Sequence, residues 1–510
     1  MPEHKYDPKF EYDIIGICDT ADRLKSQRSA LEASWSDLSS MVLPGRFNNG
    51  SKQSNGKRDS LDSTAALAAE NLGMALCGLA VNPAREWFEP VSPDQNAKND
   101  VETVNWFQNV GGLMRAELNR QGSRFYVEAQ NLIKELVTFG TAVFFSEEIG
   151  LSGQFSFTTR PLDRTCFDQN ANGQIDRAYY RFLFTARQCI EKWGEAAPKA
   201  AHKAVDDGDL HARFDLMHAV IPAGSGNDGK FASLYIHMDS QTLISKGQYH
   251  EFPYQVVRWS SVPQHVYGFS PAMMALPDIK FLNTVVKTNL VAAQKAVDPP
   301  LLAVNENGLR GLKTHPGAII YGGLDASGRR MYEPLMQGAT QSSAMSAQED
   351  QKREQIREAF FHSLLFSTLQ NQMTATEFLG RYEEKARVLA PHLAAIQAEF
   401  LTPFLQRLYG LMHRAGKLPD VPENMAGGKK QVIEVSFNTP LTRAQKSEDA
   451  SVALKLLAGF APYLGDDLMA LNQIDSAKMV RDLAIAVGLP LKEVGYEETT
   501  NPDKAGEVSA

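Results

Sequence analysis

The sequence predicts an α+β protein whose helical and strand-forming segments are segregated along the chain. In the N-terminal third, apolar residues recur at three- and four-residue intervals. From Thr141 to about Ser261 the residues favour strands, broken by Gly, Asn and Asp turns. Beyond that, long helical patterns resume on either side of a short Gly-rich stretch.

In the first helix Ile17, Ala21, Leu24, Leu31, Trp35 and Leu38 fall on one face, and the pattern is expected to run to Pro44. A polar loop, Asn48 to Asp59, follows. Asp62 or Ser63 then caps a helix through Ala65, Leu72 and Leu76 that breaks at Asn82-Pro83. Two further helices are expected, roughly Val101 to Asn119 and Arg124 to Phe139. The strand segments are AVFFSEE, QFSFTTR, IDRAYYRFLF, FDLMHAVI, FASLYIHM and YQVVRWSS. They imply an antiparallel sheet region, with a short helix at Arg187 to Trp193.

Pro271 and Pro277 punctuate the chain ahead of a helix in which Ile279, Leu282, Val286, Leu290, Ala293 and Val297 form an apolar stripe. Lys280, Asn283, Lys287 and Gln294 occupy its other face. The helix stops at Asp298-Pro299-Pro300, because neither proline donates the next hydrogen bond. LLAV, AIIYGG and MYEPL are short strands, and a second helix, roughly Ala347 to Leu369, brings the chain back. A long helix within Met373 to Asp420, a strand at Val432 to Phe437 and helices to Val487 complete the pattern. An acidic tail follows them.

Composition narrows the function. The 510 residues are 43% hydrophobic and 22% charged, enough to bury a substantial core. Four cysteines without a CxxC pair argue against a disulfide framework and fit a reducing compartment. No uncharged apolar run of membrane length and no secretion-signal pattern is present, so a soluble protein made inside the cell is expected. A net charge of -8 argues against a clamp that draws its affinity from phosphate neutralisation.

Enzyme signatures fail on inspection. Asp168, Asn170, Asn172 and Gly173 imitate the start of a calcium loop, but Tyr179 stands where a bidentate glutamate is needed; an Asn-Gly hairpin turn accounts for them. Gly50 to Arg58 has the wrong spacing for a phosphate loop, with Arg58 in place of the Mg-binding hydroxyl. The histidines show no metal spacing and the serines no nucleophile elbow. No catalytic residue, metal or cofactor is expected. Trp87 and Phe88, beside the Asn-Pro turn, are assigned to core packing.

Five stretches in order, VNPAREWFEP (81–90), DQNANGQIDRAYYRFLFTARQ (168–188), YGFSPAMMALPDIKFLN (267–283), DPPLL (298–302) and MTATEFLGR (373–381), resemble the portal, or head-to-tail connector, proteins of short-tailed bacteriophages. The resemblance implies a ring of twelve subunits at one capsid vertex, assembled in the host cytoplasm. It passes double-stranded DNA without sequence specificity during packaging and ejection. It implies a wing at 1–269, stem helices at 270–298 and 347–366, a clip at 299–346 and a tunnel loop at 367–376. A long wing helix and strand at 377–440 and a helical crown with the tail at 441–510 complete the map. Implied partners are further copies of the chain, major capsid and scaffolding proteins, the large terminase subunit and tail adaptor or tube proteins.

Within that frame, Ile279, Leu282, Val286 and Leu290 are expected to pack stem against stem. Gln370, Asn371 and Gln372 suit transient contact with DNA, and Lys280 and Lys287 offer a few phosphate contacts or act as ordinary solvated or ion-paired charges. Arg310, Lys313, Arg329 and Arg330 are the clip's candidates for partner contact. Twelve acidic chains carry roughly -100 charges, which discourages a duplex from sticking. Two other classes compete: a packaging ATPase or nuclease, disfavoured for want of a phosphate loop or carboxylate cluster, and a non-viral helical scaffold.

Overall fold

The computed structural model describes residues 12–47, 60–93, 101–149, 153–223, 231–262, 265–297, 301–303, 327, 332–334, 342–366, 387–422 and 433–437. The chain begins with α1 (Ile14–Gln27), α2 (Ser29–Met41), α3 (Thr64–Ala80), β1 (Phe88–Val91), α4 (Val101–Asn119) and α5 (Phe125–Phe139). Strands β2 (Thr141–Ile149), β3 (Gln154–Arg160), β4 (Thr165–Gln169) and β5 (Ile175–Thr185) follow, then α6 (Ala186–Trp193) and α7 (Lys199–Asp206). Next come β6 (Arg213–Pro222), β7 (Phe231–His237), β8 (Thr242–Tyr249) and β9 (Tyr254–Arg258), and then α8 (Pro271–Val297). The rest comprises β10 (Leu301–Ala303), β11 (Tyr332–Pro334), α9 (Ser342–Ala359), α10 (His362–Phe366), α11 (Arg387–Arg414) and β12 (Glu434–Phe437). The mixed helical and antiparallel class is as expected. Contacts divide the chain into two units, one of residues 1–77, 121–370 and 395–407, the other of 78–120, 371–394 and 408–510.

In the first unit, β4 to β8 form an antiparallel meander in chain order. Alternation along its strands sends Tyr179, Met217, Ala219, Leu234 and Ile236 to one face, where Cys18, Ala21 and Leu24 of α1 cover them. Phe182, Phe214 and Leu216 go to the other, against Cys189 and Trp193 of α6 and Ala201 of α7. Thr185 and Gln188 form a capping box that starts α6 directly from the end of β5. The turn between β4 and β5 is the hairpin anticipated for the calcium-loop mimic: the Asn170 side chain accepts from the Asn172 and Gln174 amides, and Gly173 takes φ +77°.

A three-stranded sheet, β3-β2-β9, carries the aromatic core. Phe125 stacks on Phe404 at 4.9 Å, and Phe144 meets Phe157, Phe400 and Phe404. Helix α11 includes a π turn at Gln397–Leu401. Glu399 in that turn receives the Arg258 guanidinium and backbone amide. By length and composition α11 would pass for a membrane span. Its Phe400, Leu401, Phe404, Leu405 and Leu408 are buried within the protein, and Arg407, 1% exposed, donates to the Ser146 and Glu251 carbonyls. It is a core helix. Residues 373–386 of the expected long helix, and the expected helices after 437, lie outside the described residues.

Several boundaries differ from expectation. The first helix is two, broken at Arg28, whose buried guanidinium donates to Glu32 and to the carbonyls of Leu162, Asp163 and Thr165. Satisfying three carbonyls on a distant turn and a carboxylate on α2 outweighs continuing one helix. Pro277 lies inside α8, which starts six residues earlier at Pro271. Ser270 caps it, accepting from the Met273 amide and donating to Thr138 O, and proline is well placed at the first helical position. The return helix starts earlier, at Ser342, and stops at Ala359, where Phe360 is buried and Phe361 takes φ +59°. Strands β4 and β8 had no counterpart in the sequence reading.

Where β2 leaves α5, Gly140 sits at φ +77° against the segment that leads into α8. A Cβ there would lie 2.5 Å from Gly268 O and 2.8 Å from Ser270 N, so only glycine fits. Gly268 in turn donates to Thr141 Oγ1 at 2.8 Å.

In the second unit β1 pairs antiparallel with β12. Trp87 and Phe88 are buried with ring centroids 4.5 Å apart, the core role assigned to them. Arg115 of α4 donates to Phe88 O and to Glu86, and Trp106 Nε1 donates to Asp420 O.

Candidate channel wall and subunit contacts

Helix α8 runs 27 residues, about 40 Å at 1.5 Å per residue, and packs along α9. The pair is held largely by polar groups. Lys352 Nζ lies 2.7 Å from Asp278 Oδ1 and over the Phe281 ring, and Asn289 donates to Glu349. Arg353 is the hub: it reaches Asp62 at 3.0 Å, Glu349 at 3.0 Å and Asp350 at 2.9 Å, so it ties the start of α3 to α9. Burial works against the Asp62 carboxylate, but hydrogen bonds from Thr64 and Arg353 hold it below the usual range. The other side of α8 is pinned by Asn283, which accepts from the Leu61 amide.

The expected stem-packing stripe divides. Ile279 and Leu282 are 3% and 2% exposed, buried in the chain's own packing. Val286 is half-buried, whereas Leu290 is 50% and Val291 40% exposed. The apolar surface open to a partner is therefore the distal part of the stripe, joined by Val291, and its proximal part is already filled. Lys280 forms an ion pair with Asp37 of α2, the ordinary alternative to a phosphate contact. Lys287 is exposed and makes no ion pair among the described residues. Gln370, Asn371 and Gln372, and likewise Arg310, Lys313, Arg329 and Arg330, lie outside the described residues.

Sequence reasoning missed the Arg353 hub, although Glu349 and Asp350 stand at helical ion-pair spacing from it. It also missed Phe281, 46% exposed beneath Lys352, because that position falls outside the stripe. Among the described residues no cluster of three His, Cys, Asp or Glu could hold a metal.

Comparisons with known proteins identify relatives of the chain. The chain is 25% identical to the portal protein of Salmonella phage epsilon15, over 92% of this chain and 88% of that protein. It is 26% identical to a "Probable portal protein" of Bordetella phage BPP-1, over 92% and 86%. Solved structures with similarity include chains from the native gene transfer agent virion (13% identity, TM-score 0.40, covering 84% of this chain and 92% of that one) and from the neck of the empty particle (12%, 0.41, 84% and 92%). The sequence profile of the family described as bacteriophage head to tail connecting protein matches residues 16–494, so this chain belongs to that structural, non-enzymatic family and has its portal role.

Proposed function

We propose that the chain forms a ring of twelve copies at one capsid vertex, its α8 and α9 standing as the stem around a bore that passes double-stranded DNA inward during packaging and outward during ejection. In this reading residues 1–269 and 377–440 form the wing and 441–510 the crown. The β10–β11 ladder roots the clip of residues 299–346, and 367–376 form the tunnel loop. The observation that carries it, beside the family match, is the uncovered apolar surface at Leu290 and Val291 on a helix otherwise tied down by polar groups. Leu290 and Val291 are 50% and 40% exposed, so burying what remains against a neighbouring copy yields about 1 kcal/mol each, multiplied around a ring.

The acidic chain suits a bore that must not hold its cargo, because each phosphate contact would have to be released as the duplex advances. Lys287, unpaired among the described residues, is the better of the two lysines for a transient phosphate contact. Arg310, Lys313, Arg329 and Arg330 are assigned to the terminase large subunit during filling and to the tail adaptor afterwards. Capsid and scaffolding proteins meet the wing. Native mass spectrometry and negative-stain imaging of the purified chain test the proposal: rings of about twelve support it, and a monomer at all concentrations overturns it.

A further inference from the structure

The last amides bonded into α2 are those of Val42 and Leu43, which donate to Leu38 O; residues 44–47 continue from there toward α3 as a strap held by two side chains, Arg46 and Phe47. Phe47, 3% exposed, packs edge-on to Trp35 at 5.7 Å and against Phe139 at 6.1 Å, and its amide donates to Ser39 Oγ. Next to it Arg46, with a side chain 37% exposed, reaches from the surface to Glu135 Oε1 at 3.3 Å. Glu135 on α5 is 1% exposed, and its second oxygen, Oε2, has no hydrogen-bond partner among the described residues. A buried carboxylate with one ligand on four lone-pair sites is among the costlier arrangements a core can hold.

We propose that the strap is a proton-governed cover: it lies closed over Glu135 while that side chain is protonated, and it lifts as Glu135 ionises, so that water reaches Oε2. Of the two side chains that anchor the strap, Arg46 is the one already open to solvent. The charged groups facing Glu135 are few. Burial is the largest influence and pushes its pKa up to about 8; Arg46 opposes this, while Asp163 from the turn after β3 and Glu128 on α5 itself reinforce it. Trp35 and Phe47 contribute no charge.

The sign follows from linkage. The closed form binds the proton up to pH about 8 and the opened, solvated form only to about 4.5. Opening therefore becomes easier by roughly tenfold per pH unit between those values and levels off above the higher one.

Hydrogen exchange on the full-length chain at a series of pH values, corrected for the intrinsic rate, tests this at the amides of Gly45, Arg46 and above all Phe47, whose amide donates to Ser39 Oγ. Expected is a protection that falls toward pH 8 and then flattens, with the amides of α5 unaffected. Glu135→Gln should abolish the slope. Arg46→Met should move the flattening to higher pH, because the group that opposes the shift is gone; it serves as the test if Glu135→Gln does not fold. A slope kept in Glu135→Gln, a flattening unmoved in Arg46→Met, a flat wild-type profile, or α5 amides opening in step with the strap would each overturn the proposal.

Discussion

The aromatic core around β2 and the α8–α9 pair belong to the same unit and solve opposite problems. In the core, Phe125, Phe144, Phe157, Phe400 and Phe404 come from four elements and interlock with centroids 4.9–6.3 Å apart. Nothing there needs another molecule. Along α8 and α9 the contacts are ion pairs and amide hydrogen bonds, and the apolar residues Leu290 and Val291 face outward. The first region buries its apolar surface within the chain, while the second leaves Leu290 and Val291 uncovered.

That contrast can be broken in four places. Phe404→Ala should cost the most, about 4 kcal/mol, because it removes a ring stacked on Phe125 and leaves a cavity among four aromatic neighbours; the thermal unfolding midpoint reads it. Arg407→Met should follow at about 3 kcal/mol, since the Ser146 and Glu251 carbonyls lose their buried donor. An unchanged melting temperature in either variant would mean that the core is not where the fold's stability resides.

On the helix pair, Lys352→Met should cost under about 1 kcal/mol, for the Asp278 pair is partly solvated. Leu290→Asp should alter the melting of the isolated chain least, within about 0.5 kcal/mol, yet prevent rings in negative stain. Intact rings from Leu290→Asp would show that this surface is covered by something other than a neighbouring copy. A deletion of Gln370 to Gln372 sharpens the same division: rings should form normally while packaging falls in an in-vitro filling assay.

Which features could be read from the sequence follows from how far their causes lie along the chain. Helix α6 was legible because its cap, Thr185 and Gln188, is local. Strand β1 was not, because the short FEPV segment becomes a strand only through β12, hundreds of residues later. Strand β8, TLISKGQY, hides behind a lysine and a glycine and is imposed by its neighbour β7. The stripe on α8 shows the limit most clearly. Periodicity placed Ile279, Leu282 and Leu290 on one face, but spacing carries no information on whether the covering atoms come from the same chain. The same holds for Lys280, whose partner Asp37 is fixed by the packing of α2 on α8.

The paired glycines at the foot of α8 have a mechanical consequence. With no room for one added carbon at Gly140, and with Ser270 bonded to Thr138, the foot of that helix is clamped and cannot act as a pivot. The hold continues past Pro277, through buried Ile279 and Leu282 to Asn283, which accepts from the Leu61 amide, so any swing of the rod must be absorbed beyond Asn283. A shaft gripped along its whole lower half can change the tilt of its far end only, while the body that carries it stays still.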